Sequence, residues 1–289
     1  MTLVMALRGA ESVWLCSDRR LTYPTKVVDG CKMLLIRGPD GAALLGYSGL
    51  GASIAGIQPS DWMNDILSDE AIRPIEDQLG IIAAAMQRDM PPHLARINGP
   101  QMHHLIASAM VSDEPRFYVV ALALQDRGVP PHFSFNRLVR TEQGPVPPFL
   151  FAGSGSAFAP KSKQWGRDIM RILRGVEAGR VNPLAVADRL AATNEEISLQ
   201  EPSVGPKCIV TWAGVLNGTQ FYDGQERSDA DIMVPQVHHG LDLRHIVASL
   251  GPSMERLMAS VRKGEQPVHD TSDIQPELDR LAALPKRRL

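Results

Sequence analysis

Strand-like and helix-like segments come in separate blocks along this chain of 289 residues, and that order limits the fold more than any other feature. The first fifty residues read as β throughout. "TLVMAL" (2–7) is followed by the turn "RGAE" and then by "SVWLCS" (12–17). "CKMLLI" (31–36) and "AALLGYS" (42–48) form a second pair around "RGPDG", whose Gly, Pro and Asp supply turn geometry. The polar stretch "DRRLTYPTKVVDG" between the pairs has room for one short strand.

Helical spacing takes over after residue 48. "GLGASIAGI" opens a helical region, and "DWMNDILSDEA" and "PIEDQLGIIAAAMQRDM" carry apolar residues at three- and four-residue intervals. Strands return with "HHLIASAMVS", "RFYVVALAL" and "HFSFNRLVRT", and "FLFAG" follows the Pro-rich link "GPVPP". "SGSAFAPKSKQWGRDIMRILRGV" is glycine-rich at its start and helical later. In "NPLAVADRLAATNEEIS", Asn182 and Pro183 suit the cap and first turn of another helix. "KCIVTWAG" and "GTQFYD" read as a hairpin, and beyond residue 225 the chain turns polar, with a helix expected near 241–262.

Strand blocks separated by paired helices argue for antiparallel sheets covered by helices rather than alternating βαβ units. The expected fold is α+β, a four-layer α/β/β/α sandwich over residues 1–225 with a helical C-terminal extension at 226–289.

Composition excludes several classes. At 44% hydrophobic and 21% charged residues the chain is ordinary globular material. A net charge of −2 is not that of a chain built to hold nucleic acid. No run approaches the roughly 20 apolar residues of a membrane span. Met1 leads into an alternating strand without the basic and apolar regions of a signal peptide, so the cytoplasm is the expected compartment. Cys16, Cys31 and Cys208 are odd in number and scattered, which favours buried thiols over a disulfide or a zinc site. His103–His104 and His238–His239 are adjacent pairs, and strand neighbours point to opposite faces, so neither pair suits a metal.

Thr2 has two readings. It is either a β-favouring residue in a terminal strand or, once Met1 is removed, an N-terminal threonine. In the second case a hydroxyl nucleophile is joined covalently to its own base, because a free α-amine has a pKa of about 7.7–8.0 and is partly neutral near pH 7.

Five stretches in order and at suitable spacing bear on that choice: Thr2, "SDRR" (17–20), Lys32 in "GCKMLLI", "GYSGLGAS" (46–53) and "GSGSAFA" (153–159). Together they resemble the proteasome β-type N-terminal-nucleophile hydrolases, which include proteasome β-subunits, the bacterial HslV peptidase and the bacterial Anbu proteins. The resemblance covers about residues 2–223. It implies Thr2 as nucleophile, Asp18 as the carboxylate partner of the active-site lysine, and Lys32 as that lysine. It further implies an oxyanion-hole N–H from Gly49, Ser154 holding the terminal amine and a water, and Ser203 in "EPSVG" as the late active-site serine. The family carries an aspartate three residues before that serine; here the position is Gln200, with Glu201 adjacent.

The residues themselves leave alternatives. A lysine at position 32 facing inward needs an ionic partner, for which Asp18 is the candidate, but a solvent-facing lysine on an alternating strand needs none. Asp18 and Arg20 could equally be a turn-capping carboxylate and a surface cation. The glycines of "GYSGLGAS" let backbone N–H groups approach a developing oxyanion, or simply make a tight strand-to-helix turn.

The reading that unites these features is a threonine-type hydrolase of peptide or other amide bonds that needs no cofactor. The resemblance implies a homo-oligomer and admits an ATP-dependent unfoldase as partner; neither nucleic acid nor membrane is expected. Two rivals remain: a non-catalytic assembly or scaffold subunit, which Gln200 would favour, and a small-molecule amidase of the wider N-terminal-nucleophile group.

Overall fold

The computed structural model describes residues 2–22, 26–49, 58–69, 71–94, 104–123, 132–139, 145–153, 159–216, 219–226, 234–244, 248, 275 and 279. Strands β1 (Leu3–Arg8) and β2 (Ser12–Asp18) form an antiparallel hairpin in the register Val4↔Ser17 to Arg8↔Val13. β10 (Phe149–Gly153) flanks β1, and β11 (Cys208–Leu216) flanks β2 and pairs with β12 (Thr219–Glu226). The result is a five-stranded sheet in the order β10-β1-β2-β11-β12.

The second sheet has seven strands. At its centre are β5 (Met33–Gly38), β6 (Gly41–Ser48), β7 (His104–Val111), β8 (Glu114–Ala123) and β9 (His132–Arg137), antiparallel throughout. β13 (Gln236–His238) and β14 (Leu241–Asp242) extend it beyond β5, and β13–β5 is the one parallel pairing among the described strands. A small ribbon, β3 (Arg20–Thr22) with β4 (Val27–Asp29), occupies the polar connection where one short strand was expected.

Four helices complete the described fold: α1 (Pro59–Leu67), α2 (Ile75–Leu94), α3 (Ala159–Glu177) and α4 (Leu184–Ser198). Asn182 accepts the Leu184 N–H at 2.9 Å and so satisfies one free donor at the start of α4, although Pro183 and not Asn182 takes the cap position.

The alternation along the central strands sends successive side chains to the helices on one face and to the other sheet on the other. Leu3, Met5 and Leu7 of β1 face α3 and α4 with Trp14 and Cys16 of β2, whereas Val4, Ala6, Val13 and Leu15 face the other sheet. In β6, Ala43, Leu45 and Tyr47 face α1 and α2, and Ala42 and Leu44 face the first sheet. Both faces are thus apolar and buried, so these strands do not alternate in polarity. All three cysteines are free and buried in these layers.

The polar shift after residue 225 does not end the sheet structure. β12 runs to Glu226, and Gln236–Asp242 build onto the seven-stranded sheet. Strands of three and two residues are too short for a periodic signal, and β13 carries a single apolar residue, Val237. A polar network then ties this segment to α1: Asn64 donates to Asp242 at 2.7 Å, and Arg244 bridges Asp242 and Asp61. Of the helix expected near 241–262, Leu243, Arg244 and Ala248 are helical; its other residues lie outside the described set, as does the helical start expected at 50–57.

Gly46 of β6 faces Val4 and Leu15 of the first sheet. A Cβ there would come 2.9 Å from Val4 Cγ1 and 3.0 Å from Leu15 Cδ2. Gly46→Ala should therefore destabilise the protein by about 1–3 kcal/mol through overpacking, measured by urea unfolding. Wild-type stability in that variant would show that the sheets can separate freely.

Candidate active site

The β1–β2 hairpin and the facing sheet bring three of the expected residues together. Asp18, the last residue of β2, has a fully buried carboxylate surrounded by donors. Its Oδ1 accepts the Leu3 N–H at 2.8 Å and Lys32 Nζ at 3.0 Å; its Oδ2 accepts the N–H of Arg20 at 3.0 Å and of Gly205 at 3.1 Å. A buried anion needs such a shell, since water cannot solvate it.

Lys32 enters from the other sheet, immediately before β5, and its side chain is equally buried. Its backbone carbonyl is held by the Tyr47 N–H at 3.0 Å. Its Nζ donates to Thr2 Oγ1 at 2.8 Å as well as to Asp18. The solvent-facing reading of this lysine is therefore excluded, whereas Asp18 does cap the turn through the Arg20 N–H, as a buried carboxylate. Burial pulls the Lys32 pKa below the usual lysine range, and the attraction of Asp18 works against that fall.

Thr2 is buried, and its hydroxyl receives the lysine hydrogen bond one residue before β1 begins. Gly153 makes room beside it. This glycine has a φ of 82°, and a Cβ would lie 1.8 Å from the Thr2 carbonyl oxygen and 2.4 Å from Ser48 Oγ. Gly49, at the end of β6, also has a positive φ of 149°. Ser154 lies outside the described residues.

Ser203 stands in the loop between α4 and β11, which leans on Asp18 through the Gly205 N–H. The Arg20 guanidinium donates to the Pro202 carbonyl, and buried Asn194 donates to the carbonyls of Gly205 and Pro206 at 2.9 and 3.0 Å. Ser203 gives both its hydroxyl, at 2.7 Å, and its N–H, at 3.1 Å, to Glu201. Those two bonds hold the Glu201 carboxyl below the usual range, against a smaller upward effect of burial. Gln200 is turned away: its amide accepts from Lys161 at 3.4 Å and donates to the Glu196 carbonyl at 3.3 Å on the surface. The carboxylate on the serine is thus Glu201. Gly205 of this loop and Asn194 of α4, which holds it, were not singled out by the sequence patterns; the Gly-Pro pair after Ser203 was the available signal.

A hydroxyl, an ammonium-bearing side chain and a carboxylate in one buried chain of hydrogen bonds can stabilise an alkoxide as it forms. Deprotonating the hydroxyl needs a further base, and the nitrogen of Thr2 could serve as one only as a free amine, without Met1.

Solved structures similar to this one include Anbu proteins. Anbu from Yersinia bercovieri, described as an ancestral β-subunit, matches at a TM-score of 0.53 and 13% identity over 99% of each chain. The helical assembly of the Anbu complex from Pseudomonas aeruginosa matches at 0.51 and 15%, over 88% of this chain and 96% of that one. Anbu from Hyphomicrobium sp. strain MC1 matches at 0.50 and 13%, over 99% and 100%. No family model matches the chain, and no curated protein does. At these identities the likeness establishes the fold, which is the one the sequence resemblance implied.

The two charged partners should respond differently to neutral substitution. Asp18→Asn turns an NH₂ group toward N–H donors and should cost about 3–5 kcal/mol, while Lys32→Met, which leaves three backbone donors on the carboxylate, should cost less. Urea unfolding of both variants tests this; the reverse order would mean that the lysine, not the backbone shell, sustains the buried carboxylate.

Proposed function

We propose that this chain is a threonine-type amide-bond hydrolase whose nucleophile is Thr2. The observation that supports it most is the 2.8 Å hydrogen bond from buried Lys32 Nζ to Thr2 Oγ1, with Asp18 on the same nitrogen. In this reading Thr2 Oγ attacks the substrate carbonyl and its proton passes to the Thr2 amine. The C–N bond breaks as that proton goes to the leaving nitrogen, and an acyl ester remains on Oγ. Water, deprotonated by the same amine, then attacks the ester and restores the hydroxyl. Lys32 favours the alkoxide electrostatically, the Gly49 N–H takes the oxyanion, and Ser154 and Ser203 hold the amine. Glu201 orients Ser203, in place of the aspartate that Gln200 replaces.

The same reading takes the two helix-covered sheets as the four-layer α/β/β/α sandwich of this hydrolase group. It takes the chain beyond residue 242 as a helical extension that serves self-association; one similar structure is titled a helical assembly. A non-catalytic subunit is the second reading, and the surface position of Gln200 favours it. Glu201 on Ser203 speaks for turnover instead.

The mechanism requires a free amine, so everything before Thr2 must be absent from the working protein. One added residue converts the base to an amide and shifts the terminus by about 3.8 Å. An N-terminal tag and Thr2→Ala should each abolish hydrolysis with the fold intact, whereas Thr2→Ser and a C-terminal tag should retain it. Activity should rise with pH as the amine, with a pKa of about 7.7–8.0, loses its proton. Assays with fluorogenic peptides and small acyl amides on trimmed protein read all of this and also separate peptidase from amidase. Equal hydrolysis by N-terminally blocked and trimmed protein would overturn the threonine mechanism.

Glu201 provides a separate check. Glu201→Gln should lower kcat by tenfold or more, about 1.4 kcal/mol, while Gln200→Ala should leave it unchanged. The opposite pattern would assign the serine's orientation elsewhere.

A further inference from the structure

A second feature lies on the outer face of the five-stranded sheet and shares no residue with the Thr2 site. α3 buries Trp165, Ile169, Leu173 and Val176 against the sheet. Its neighbouring face, together with the start of β10, encloses an open trough of about 560 Å³. Phe149, Met170 and the Pro147–Pro148 pair give the trough an apolar floor. Gly166 adds depth, since it has no side chain where its Cβ would stand 3.3 Å from the Phe149 ring.

The rim is cationic. Lys163, Arg167 and Arg174 line it, and no acidic residue does. They recur with Met170 at four-, three- and four-residue intervals and so form one stripe of the helix. Among the described residues none of the three cations makes an ion pair, although Arg171 on the same helix pairs with Asp168 and Arg189 on α4 pairs with Glu196. From Lys161 to Arg174 the helix carries five basic residues and one acidic, on a chain whose net charge is −2. The concentration is local, not a property of the whole surface.

Spacing decides what such a rim can hold. Lys163 and Arg174 are eleven residues apart, about 16 Å at 1.5 Å per residue. One phosphate or carboxylate cannot reach all three cations, but an extended peptide covers that distance in about five residues. β10 is the outer strand of its sheet, and one row of its backbone groups has no strand partner among the described residues. An extended chain could use that row while its alternate side chains point toward α3. The apolar floor disfavours a nucleic-acid strand, whose inward-facing groups would be phosphates.

We propose that the trough between α3 and β10 is a docking site for an extended acidic peptide segment of a partner protein, with apolar residues set between the acidic ones. The acidic side chains pair with Lys163, Arg167 and Arg174, and the apolar ones rest on Phe149 and Met170. Docking here is independent of turnover at Thr2.

Fluorescence anisotropy tests the site with a short labelled peptide of alternating Glu and Leu, its Gln–Leu counterpart and an oligothymidylate of equal charge. The acidic peptide should bind in a salt-sensitive way, and the Gln–Leu peptide should not. The double substitution Arg167→Glu with Arg174→Glu should weaken binding by about tenfold or more, and it should gain binding to a Lys–Leu peptide. Arg171→Glu, whose side chain is 80% exposed and outside the trough, should leave binding unchanged. Unchanged near-UV circular dichroism and melting in each variant keep folding out of the comparison. Equal binding of the Gln–Leu peptide, an equal loss in Arg171→Glu, or tighter binding of the oligothymidylate would overturn the proposal.

Discussion

The buried carboxylate of Asp18 is the constraint on which the rest of the site depends. Its four donors come from four places in the chain: Leu3 at the start of β1, Lys32 before β5, Arg20 after β2, and Gly205 before β11. An anion removed from water is tolerable only while such donors remain aimed at it. Each donor is therefore fixed in position by the cost of losing it. The hairpin sets Leu3, the other sheet sets Lys32, and the Arg20–Pro202 and Asn194 contacts set the loop that carries Gly205. Thr2 inherits its position from this arrangement, because it is joined to Leu3 and bonded to Lys32.

Packing makes that convergence feasible. Lys32 and Asp18 meet across two sheets that pack face to face through Val4, Ala6, Val13 and Leu15 on one side and Met33, Leu35, Ala42 and Leu44 on the other, with no side chain at Gly46. Met5, Trp14 and Tyr47 of the same strands point to the outer faces beneath the helices. Trp14 stacks on Trp212 there at 4.9 Å and donates its indole N–H to Ser12 Oγ at 3.1 Å. Apolar layers on both faces of each sheet surround the polar cluster, so its groups satisfy one another.

The site was legible to the extent that it follows from strand register. "TLVMAL", "SDRR" and "GCKMLLI" lie on strands whose pairing was readable from turns and apolar runs, and Thr2, Asp18 and Lys32 come together accordingly. The late loop was less legible. Positional matching put weight on Gln200, but a loop has no periodicity to say which of two neighbouring side chains turns inward. Glu201 does so because the Ser203 hydroxyl and N–H both reward its carboxylate, while Gln200 finds Lys161 and Glu196 at the surface. β13 and β14 were illegible for a similar reason: strands this short take their identity from the edge they join.

What the sequence determined by itself was the order of the longer strands and helices and the residues able to form a hydroxyl–lysine–carboxylate cluster. Local turn chemistry and apolar spacing are enough for that, since they act over a few residues. Tertiary structure alone decided the direction of Lys32. Cys31, Lys32 and Met33 are all buried, so no alternation of polar and apolar residues marks which way the lysine points. Only the approach of a second sheet carrying Asp18 makes the inward direction the favourable one, because a buried ammonium is stable where a carboxylate and a hydroxyl meet it.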